Sequence, residues 1–573
     1  MAQLGPFILA VTTLVLAYLY TRLRYHRYKQ LAGFPQLRPV SLLWGDLKNI
    51  HEYLQQGPPQ GHVDLAFTKM REKLGNPSLF TIDTWPMQYS MAIICDHDVA
   101  EQVSKVSKTF HWSVPKSPTF SNLLALIGYQ SILINEGEHW KALRRRFNPG
   151  FAPQHLLTLL PLIVDKTKFF IDHLERLAKT GEEFSLEYYL TGLTFDIIGA
   201  VVMDVDFGAQ LDEKDQDETL TLYRNLMKTY DNDTNRGFKF YNPFLASRRS
   251  KFSRQLQEKL RALVWEKYNA ERHEVGQTKK KSRSVLSLSL QGLDKVDDAI
   301  VEATCDQLKT FLFAGHDTTS ILLQWAFYEL SRTPRALRAI RSELDELFGT
   351  ETDPEVVRQK LRSNGEDLVG KMTYTSAVIK ETLRLHPPAA TARYSKPGTN
   401  FIVTDPQTGR QYCLDGMVLY ICQYIVHRDG KVFGETANEF FPERWLGDTD
   451  TSEATNSGLA DEANEKAGAK DQDDKKTPAS AWRPFERGPR NCIGQELANI
   501  EARVILACIV RRFDFIKVGL GELAHDKDGK PIQNDLGQYE VKEKLYQASC
   551  PFAFFLASDF EAERRNARQG DSE

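Results

Sequence analysis

Near the end of the chain, Phe485-Glu486-Arg487-Gly488-Pro489-Arg490-Asn491-Cys492-Ile493-Gly494 sets one cysteine between two glycines, with an aromatic residue seven positions before it and an arginine two before it. Gly488 and Gly494 let the backbone turn tightly and pass close to a flat ligand with no Cβ in the way. The residues that follow, Gln495 to Ala502, read as a helix. Cys492 is therefore expected at a helix N-terminus, where the dipole and the free N–H groups favour a thiolate over a thiol. A thiolate in such a loop can ligate haem iron and push electron density onto it. A cysteine taken alone is more often a small, inert, buried side chain. Ten residues in this arrangement outweigh that reading.

The chain has 573 residues, long for one domain, although a large single fold around a cofactor can use that length. Hydrophobic residues make up 42%, enough for a sizeable core. Lys+Arg 73 against Asp+Glu 76 gives a net charge of −3, which offers no global attraction for nucleic acid. The cysteines at 95, 305, 413, 422, 492, 508 and 550 are scattered with no CxxC pair. That spacing indicates neither a zinc site nor a disulfide framework, and it suits a reducing compartment. Ala2 to Thr21 is an uncharged, mostly apolar run, long enough to span a bilayer as a helix. Arg22, Arg24, Arg27 and Lys29 follow at once, so the positive-inside rule keeps the remainder in the cytosol. A cleaved signal peptide would carry its basic residues first. Residues 22–44, with Pro35 and Pro39, read as a basic, stiff hinge.

From about 45 to 105 the chain reads as short strands and turns, with Thr81–Trp85 and Tyr89–Ile94 as a hairpin. From about 135 to 390 long apolar-periodic stretches predict helices. Lys279–Arg283 reads as a surface loop, and the aromatic-free, acidic stretch 447–480 as a disordered insertion. The charged tail 561–573 is expected to fray. Within a helix expected from about Ala299 to Ser331 lies Ala314-Gly315-His316-Asp317-Thr318-Thr319. Polar residues inside an apolar helix are costly unless used or exposed. A threonine there can bond back to a carbonyl one turn earlier and bend the helix. Glu381-Thr382-Leu383-Arg384 puts a carboxylate and a guanidinium on one helical face, before Pro387 and Pro388 end the helix. Trp140 and Arg144 stand one turn apart on another helix, and arginine pairs carboxylates in a bidentate way. Lys141, Arg145 and Arg146 add positive charge to that helix, enough to meet an acidic electron donor, although a merely solvated face fits too.

These segments, with Phe441-Pro442-Glu443-Arg444-Trp445 between them and the cysteine loop, resemble the cytochrome P-450 family, in order and over nearly the whole chain. The flavour is that of membrane-bound microsomal members from filamentous fungi, many of which act in secondary metabolism. The resemblance implies a mainly α fold with small β-sheets (α+β) behind an N-terminal transmembrane helix. It implies haem b with Cys492 as axial ligand, in the loop framed by Phe485, Gly488 and Gly494. Trp140, Arg144, Arg393 and Arg490 would meet the haem propionates. Asp317 and Thr318 would be the acid–alcohol pair that delivers protons during O₂ activation. Glu381, Arg384 and Arg444 would form one buried ion network. In the long-chain fatty-acid hydroxylase branch a glutamate before this motif can link covalently to haem. Ala314 stands there, so haem is expected to be non-covalent.

The expected activity is hydroxylation or epoxidation of a lipophilic molecule. Electrons would come from NADPH through a separate flavoprotein reductase, with cytochrome b5 as a further donor, because no G-x-G-x-x-G fingerprint is visible. The expected location is the endoplasmic reticulum membrane, single-pass, with the catalytic body at 45–560 facing the cytosol. The expected pocket runs from near Ser113 to Ile127, along the oxygen helix, over Ala389–Ala392 and to a loop near Gln547. Two rivals remain. A haem-thiolate isomerase or dehydratase would make product without NADPH. A catalytically silent haem protein would leave NADPH consumption flat with every ligand.

Overall fold

A computed structural model describes residues 4–234, 242–273, 283–447, 477–543 and 553–558, apart from residues 39, 59, 60, 86, 292 and 294. Of the expected insertion at 447–480, residues 448–476 lie outside the described residues, as do most of the basic loop, the tail and Gln547; the insertion's end is structured, with a 3-10 turn at Ala479–Ala481.

The first helix, α1 (Leu4–Tyr25), runs past the apolar stretch and continues as a π-turn over His26–Gln30. Residues 7–22 are all exposed, with Phe7, Leu14 and Leu16 bare to the surroundings. Length, apolarity and exposure make it a possible anchor. A second apolar helix of spanning length, Leu186–Met203, is mostly buried, so it is a core helix. The basic segment after α1 is more ordered than a hinge. Arg27 is 1% exposed and donates to Asp83 at 2.7 Å and to the carbonyls of Leu42, Leu43 and Trp85.

Residues 45–105 are not mainly strands, as the sequence reading has them. They hold α2 (Leu47–Gln55), α3 (Val63–Lys73) and α4 (His97–Ser104) around one hairpin, β1 (Leu79–Ile82) and β2 (Met91–Ile94). The short apolar runs masked helices whose polar faces look outward. Two later strands, β3 (Thr391–Tyr394) and β4 (Val418–Ile421), complete a four-stranded sheet in the order β1-β2-β4-β3, with β2 and β4 parallel. This register fixes Arg393 opposite Leu419.

The body is helical. α5 (Gly137–Phe147), α6 (Leu160–Thr180), α7 (Leu186–Ile198), α8 (Glu218–Thr234) and α9 (Pro243–His273) precede α10 (Asp298–Arg332). α11 (Thr373–Leu385) and α12 (Gln495–Ile509) follow. α10 passes through the main core and packs against α7, α9, α11 and α12. Asp297 caps it by accepting from the Ile300 N–H at 2.9 Å. Gly315 is required where α7 crosses: a Cβ there would stand 2.6 Å from Ile198 Cδ1.

Candidate active site

The cysteine loop needs glycine at 488 and not at 494, where φ is −89° and a Cβ would meet nothing nearer than Cys492 Sγ at 3.9 Å. At Gly488 φ is +73°, and a Cβ would lie 2.2 Å from the Ser104 carbonyl at the end of α4. The loop closes on itself through Cys492 N–H to Phe485 O at 2.9 Å and Asn491 N–H to Gly488 O at 3.1 Å. Glu486 adopts φ +58°, unusual for a residue with a side chain. Its carboxylate is clamped by Arg483 at 2.6 Å and by the Ser104 hydroxyl at 3.0 Å. Burial alone would raise that carboxyl, but Arg483 and Arg393 hold it down at about 2. Arg487 reaches Glu101 of α4 at 3.0 Å. The loop is thus bolted to α4 through contacts that no local motif discloses.

Cys492 precedes α12 as expected. Its side chain has accessible surface yet lies deep among protein atoms, so it opens on the interior. Burial pushes the thiol up, and the Gly494 and Gln495 N–H groups with Arg144 and Lys116 pull the other way. Bound iron would complete that pull toward thiolate.

A band of cations gathers beside it. Arg144 donates to the Asn491 carbonyl and side-chain oxygen, both at 2.9 Å, which ties α5 to the loop. Arg490 lies over the Trp140 ring at 4.7 Å and donates to Glu136 and the Asn135 carbonyl, both at 2.8 Å. Arg393 is 0% exposed, with only long bonds at 3.4 Å to Ser113 and Val114. Its Nε and Nη2 have no hydrogen-bond partner among the described residues. Lys116, bridged to Arg393 along the backbone, is drawn down to about 7 by burial and then by Arg393. Sequence reasoning missed Lys116, which no motif marks. Buried guanidinium nitrogens without acceptors are costly. A planar cofactor with carboxylates at its edge and iron at its centre meets both needs, so these residues fit haem.

On α10, Ala314 and Asp317 are accessible in the middle of a helix whose neighbouring turns are buried. Thr318 Oγ1 donates back to the Ala314 carbonyl at 2.8 Å, the bond the sequence suggests. The helix stays continuous through it. His316 is buried against Phe195, with stacked rings 3.9 Å apart. The carbonyl of His316 accepts from Thr194 at 2.7 Å.

Glu381 and Arg384 are both 0% exposed and form a two-pronged pair at 2.7 and 2.9 Å. Arg444 adds 3.0 Å to Glu381, while the Trp445 ring N–H and the Phe441 N–H each donate at 2.9 Å. His427 links this cluster to the cysteine loop. Its Nδ1 meets the Arg384 carbonyl at 3.0 Å, and its Nε2 accepts from the Arg483 N–H at 3.0 Å. A carbonyl only accepts, so the proton sits on Nδ1.

The cytochrome P-450 family model matches residues 44–542. This chain belongs to the cytochrome P-450 family. Cytochrome P-450 monooxygenase acrF of Aspergillus aculeatus is 33% identical over 80% of this chain and 89% of that protein. Cytochrome P-450 monooxygenase polC of Polytolypa hystricis is 28% identical over 87% and 84%. Human cytochrome P-450 4V2 is 26% identical over 82% and 85%. The solved haem domain of cytochrome P-450DA superposes with a TM-score of 0.64 at 18% identity, covering 92% of this chain and 97% of that one. The fold is that of cytochromes P-450, and the chain is a monooxygenase of this family. Membership implies a haem-thiolate centre.

Proposed function

We propose that this cytochrome P-450 inserts one oxygen atom of O₂ into a lipophilic small molecule, by hydroxylation or epoxidation, within fungal secondary metabolism. Electrons come from NADPH through a separate flavoprotein reductase, with cytochrome b5 as a further donor. The observation that carries this reading is the accessible Cys492 thiol beside cations that include Arg393, whose Nε and Nη2 have no hydrogen-bond acceptor among the described residues. Haem b, held by Cys492 and by Trp140, Arg144, Arg393 and Arg490, supplies O₂ binding and O–O cleavage. Phe485, Gly488 and Gly494 shape the loop it lies against.

The rest falls to side chains. Asp317, accessible on α10, takes protons from solvent. Thr318 would give up its bond to the Ala314 carbonyl and hold its Oγ1 proton ready for transfer. The network of Glu381, Arg384 and Arg444 keeps the cysteine loop in place through His427. Residues 45–560 act as one catalytic body. The apolar α1 anchors it in the endoplasmic reticulum membrane, and Arg22, Arg24 and Lys29 hold the body in the cytosol.

The test is reconstitution with a reductase, NADPH and isotopically labelled O₂ over a panel of lipophilic compounds. Label in product and dependence on NADPH are expected. Product without label would favour an isomerase or dehydratase instead.

A further inference from the structure

Large apolar or aromatic side chains stand exposed on two turns: Leu43 at 60% and Trp44 at 46% on one, Met87 at 48% and Tyr89 at 42% on the other. Single exposed apolar residues are ordinary, but a contiguous group marks a surface that meets something. The first turn, Ser41 to Gly45, leads into α2 and closes through Gly45 N–H to Ser41 O at 2.9 Å. The second is the turn of the β1-β2 hairpin, where the Thr84 hydroxyl donates to the Tyr89 carbonyl at 2.7 Å. Arg27 brings the two together. Its Nη2 donates to the Leu43 carbonyl at 3.1 Å and to the Trp85 carbonyl at 2.7 Å, so one nitrogen holds both turns. Gly45 permits the approach: its φ is +58°, and a Cβ would fall 2.0 Å from the Asp83 carbonyl. Neither Leu42–Trp44 nor Trp85–Tyr89 contains a charged residue.

The position of Arg27 indicates what this surface meets. It follows Thr21, the end of the uncharged run, by about 9 Å along a helix that rises 1.5 Å per residue. One headgroup layer of a bilayer is comparable, roughly 5–8 Å thick. Tyr25 and Tyr28 on the same stretch are exposed as well, and tryptophan and tyrosine favour this depth. Arg22, Arg24 and Lys29 alternate with them along the chain, cations suited to lipid phosphates. A soluble protein docking on these turns would have to share the space with the bilayer that α1 enters. We propose that the two turns form a second membrane contact: Leu43, Trp44, Met87 and Tyr89 lie in the headgroup region of a phospholipid bilayer beside the end of α1 and set the attitude of the catalytic body on it. This inference rests on the reading of α1 as an anchor. Interfacial binding scales with the apolar area buried. These few side chains bury far less than α1, so the turns orient the body while α1 retains it.

The test uses the full haem-loaded chain in phosphatidylcholine vesicles, either plain or with bromine on the acyl chains close to the headgroups. Bromine quenches tryptophan on contact, and α1 contains no tryptophan, so any quenching reports the body. Haem dims the emission equally in both lipids, and the ratio between them is the readout. Emission should fall in the brominated lipid, and Trp44→Phe should remove most of that fall. Trp85→Phe should leave it, because the Trp85 ring lies against His26 at 5.2 Å. Leu43→Ser with Met87→Ser keeps the Trp44 fluorophore and should weaken its quenching. The carbon monoxide spectrum should be unchanged throughout, since all three altered side chains are exposed. If the native chain does not sediment with the vesicles, the anchor reading fails and this inference falls with it. If it sediments but bromine leaves its emission unchanged, α1 remains the anchor and the turns do not touch the bilayer. Quenching that survives Trp44→Phe, or that Leu43→Ser with Met87→Ser does not weaken, equally overturns the contact.

Discussion

Thr318 and Asp317 carry separable expectations. Thr318→Ala removes a hydroxyl whose contact is a single bond along its own helix. Haem binding should survive while peroxide replaces product, measured as product per NADPH consumed. Unchanged coupling would remove Thr318 from proton delivery. Glu501 on α12 offers a different check. It is 2% exposed, and burial raises its carboxyl to about 8, with a hydrogen bond to Thr319 opposing. Because the folded value exceeds the ordinary 4.5, the folded protein holds a proton that the unfolded chain releases. Stability should therefore fall as pH rises from about 4.5 to about 8. Glu501→Gln should flatten that slope in thermal melts, and an unaltered slope would show that Glu501 is not the group responsible.

At the scale of elements, the loop–α4 clamp and the α11 ion network are distinct supports joined by His427. Glu381→Ala would strand Arg384 and Arg444 without a counter-ion, a loss of about 3–5 kcal/mol, and haem retention after mild heating should report it. Acid should loosen the same region. Burial holds His427 down at about 3 from an ordinary 6.5, and Glu486 sits at about 2 against 4.5. Both folded values are depressed, so the stability they confer is complete above the ordinary values and is lost as pH falls through them. Haem release should accordingly begin below about pH 6.5, and His427→Gln should delay it. These supports differ in how far the sequence disclosed them. Glu381 and Arg384 were readable as a pair because i,i+3 spacing puts them on one helical face ahead of a proline, whereas Arg444 joined them only through the family resemblance. His427, Ser104 and Glu101 were not readable, since each acts across more than forty residues and takes part through backbone groups or a single side chain. The helices within 45–105 escaped for another reason: they are short, and their apolar positions mimic strand runs.

For the molecule as a whole, the apolar first helix and the buried body make different demands. Removing residues 1–25 should release the protein from membranes and leave its haem spectrum intact, as sedimentation with vesicles would show. Removing Arg27 as well should destabilise the body, because Asp83 would lose its buried cation. The long helices and the cysteine loop were legible in the sequence because periodicity and glycine placement are local. The cation cluster of Lys116, Arg393, Arg490 and Arg144 was legible only in part, since tertiary approach alone makes it a cluster. Cys492 is expected to ligate haem iron as a thiolate. The carbon monoxide difference spectrum of the dithionite-reduced, membrane-bound protein tests it most directly, with Cys492→Ser beside it. A strongly red-shifted Soret band that disappears in Cys492→Ser is the expected result. A band typical of histidine-ligated haem, or a red-shifted band that persists in Cys492→Ser, would contradict it.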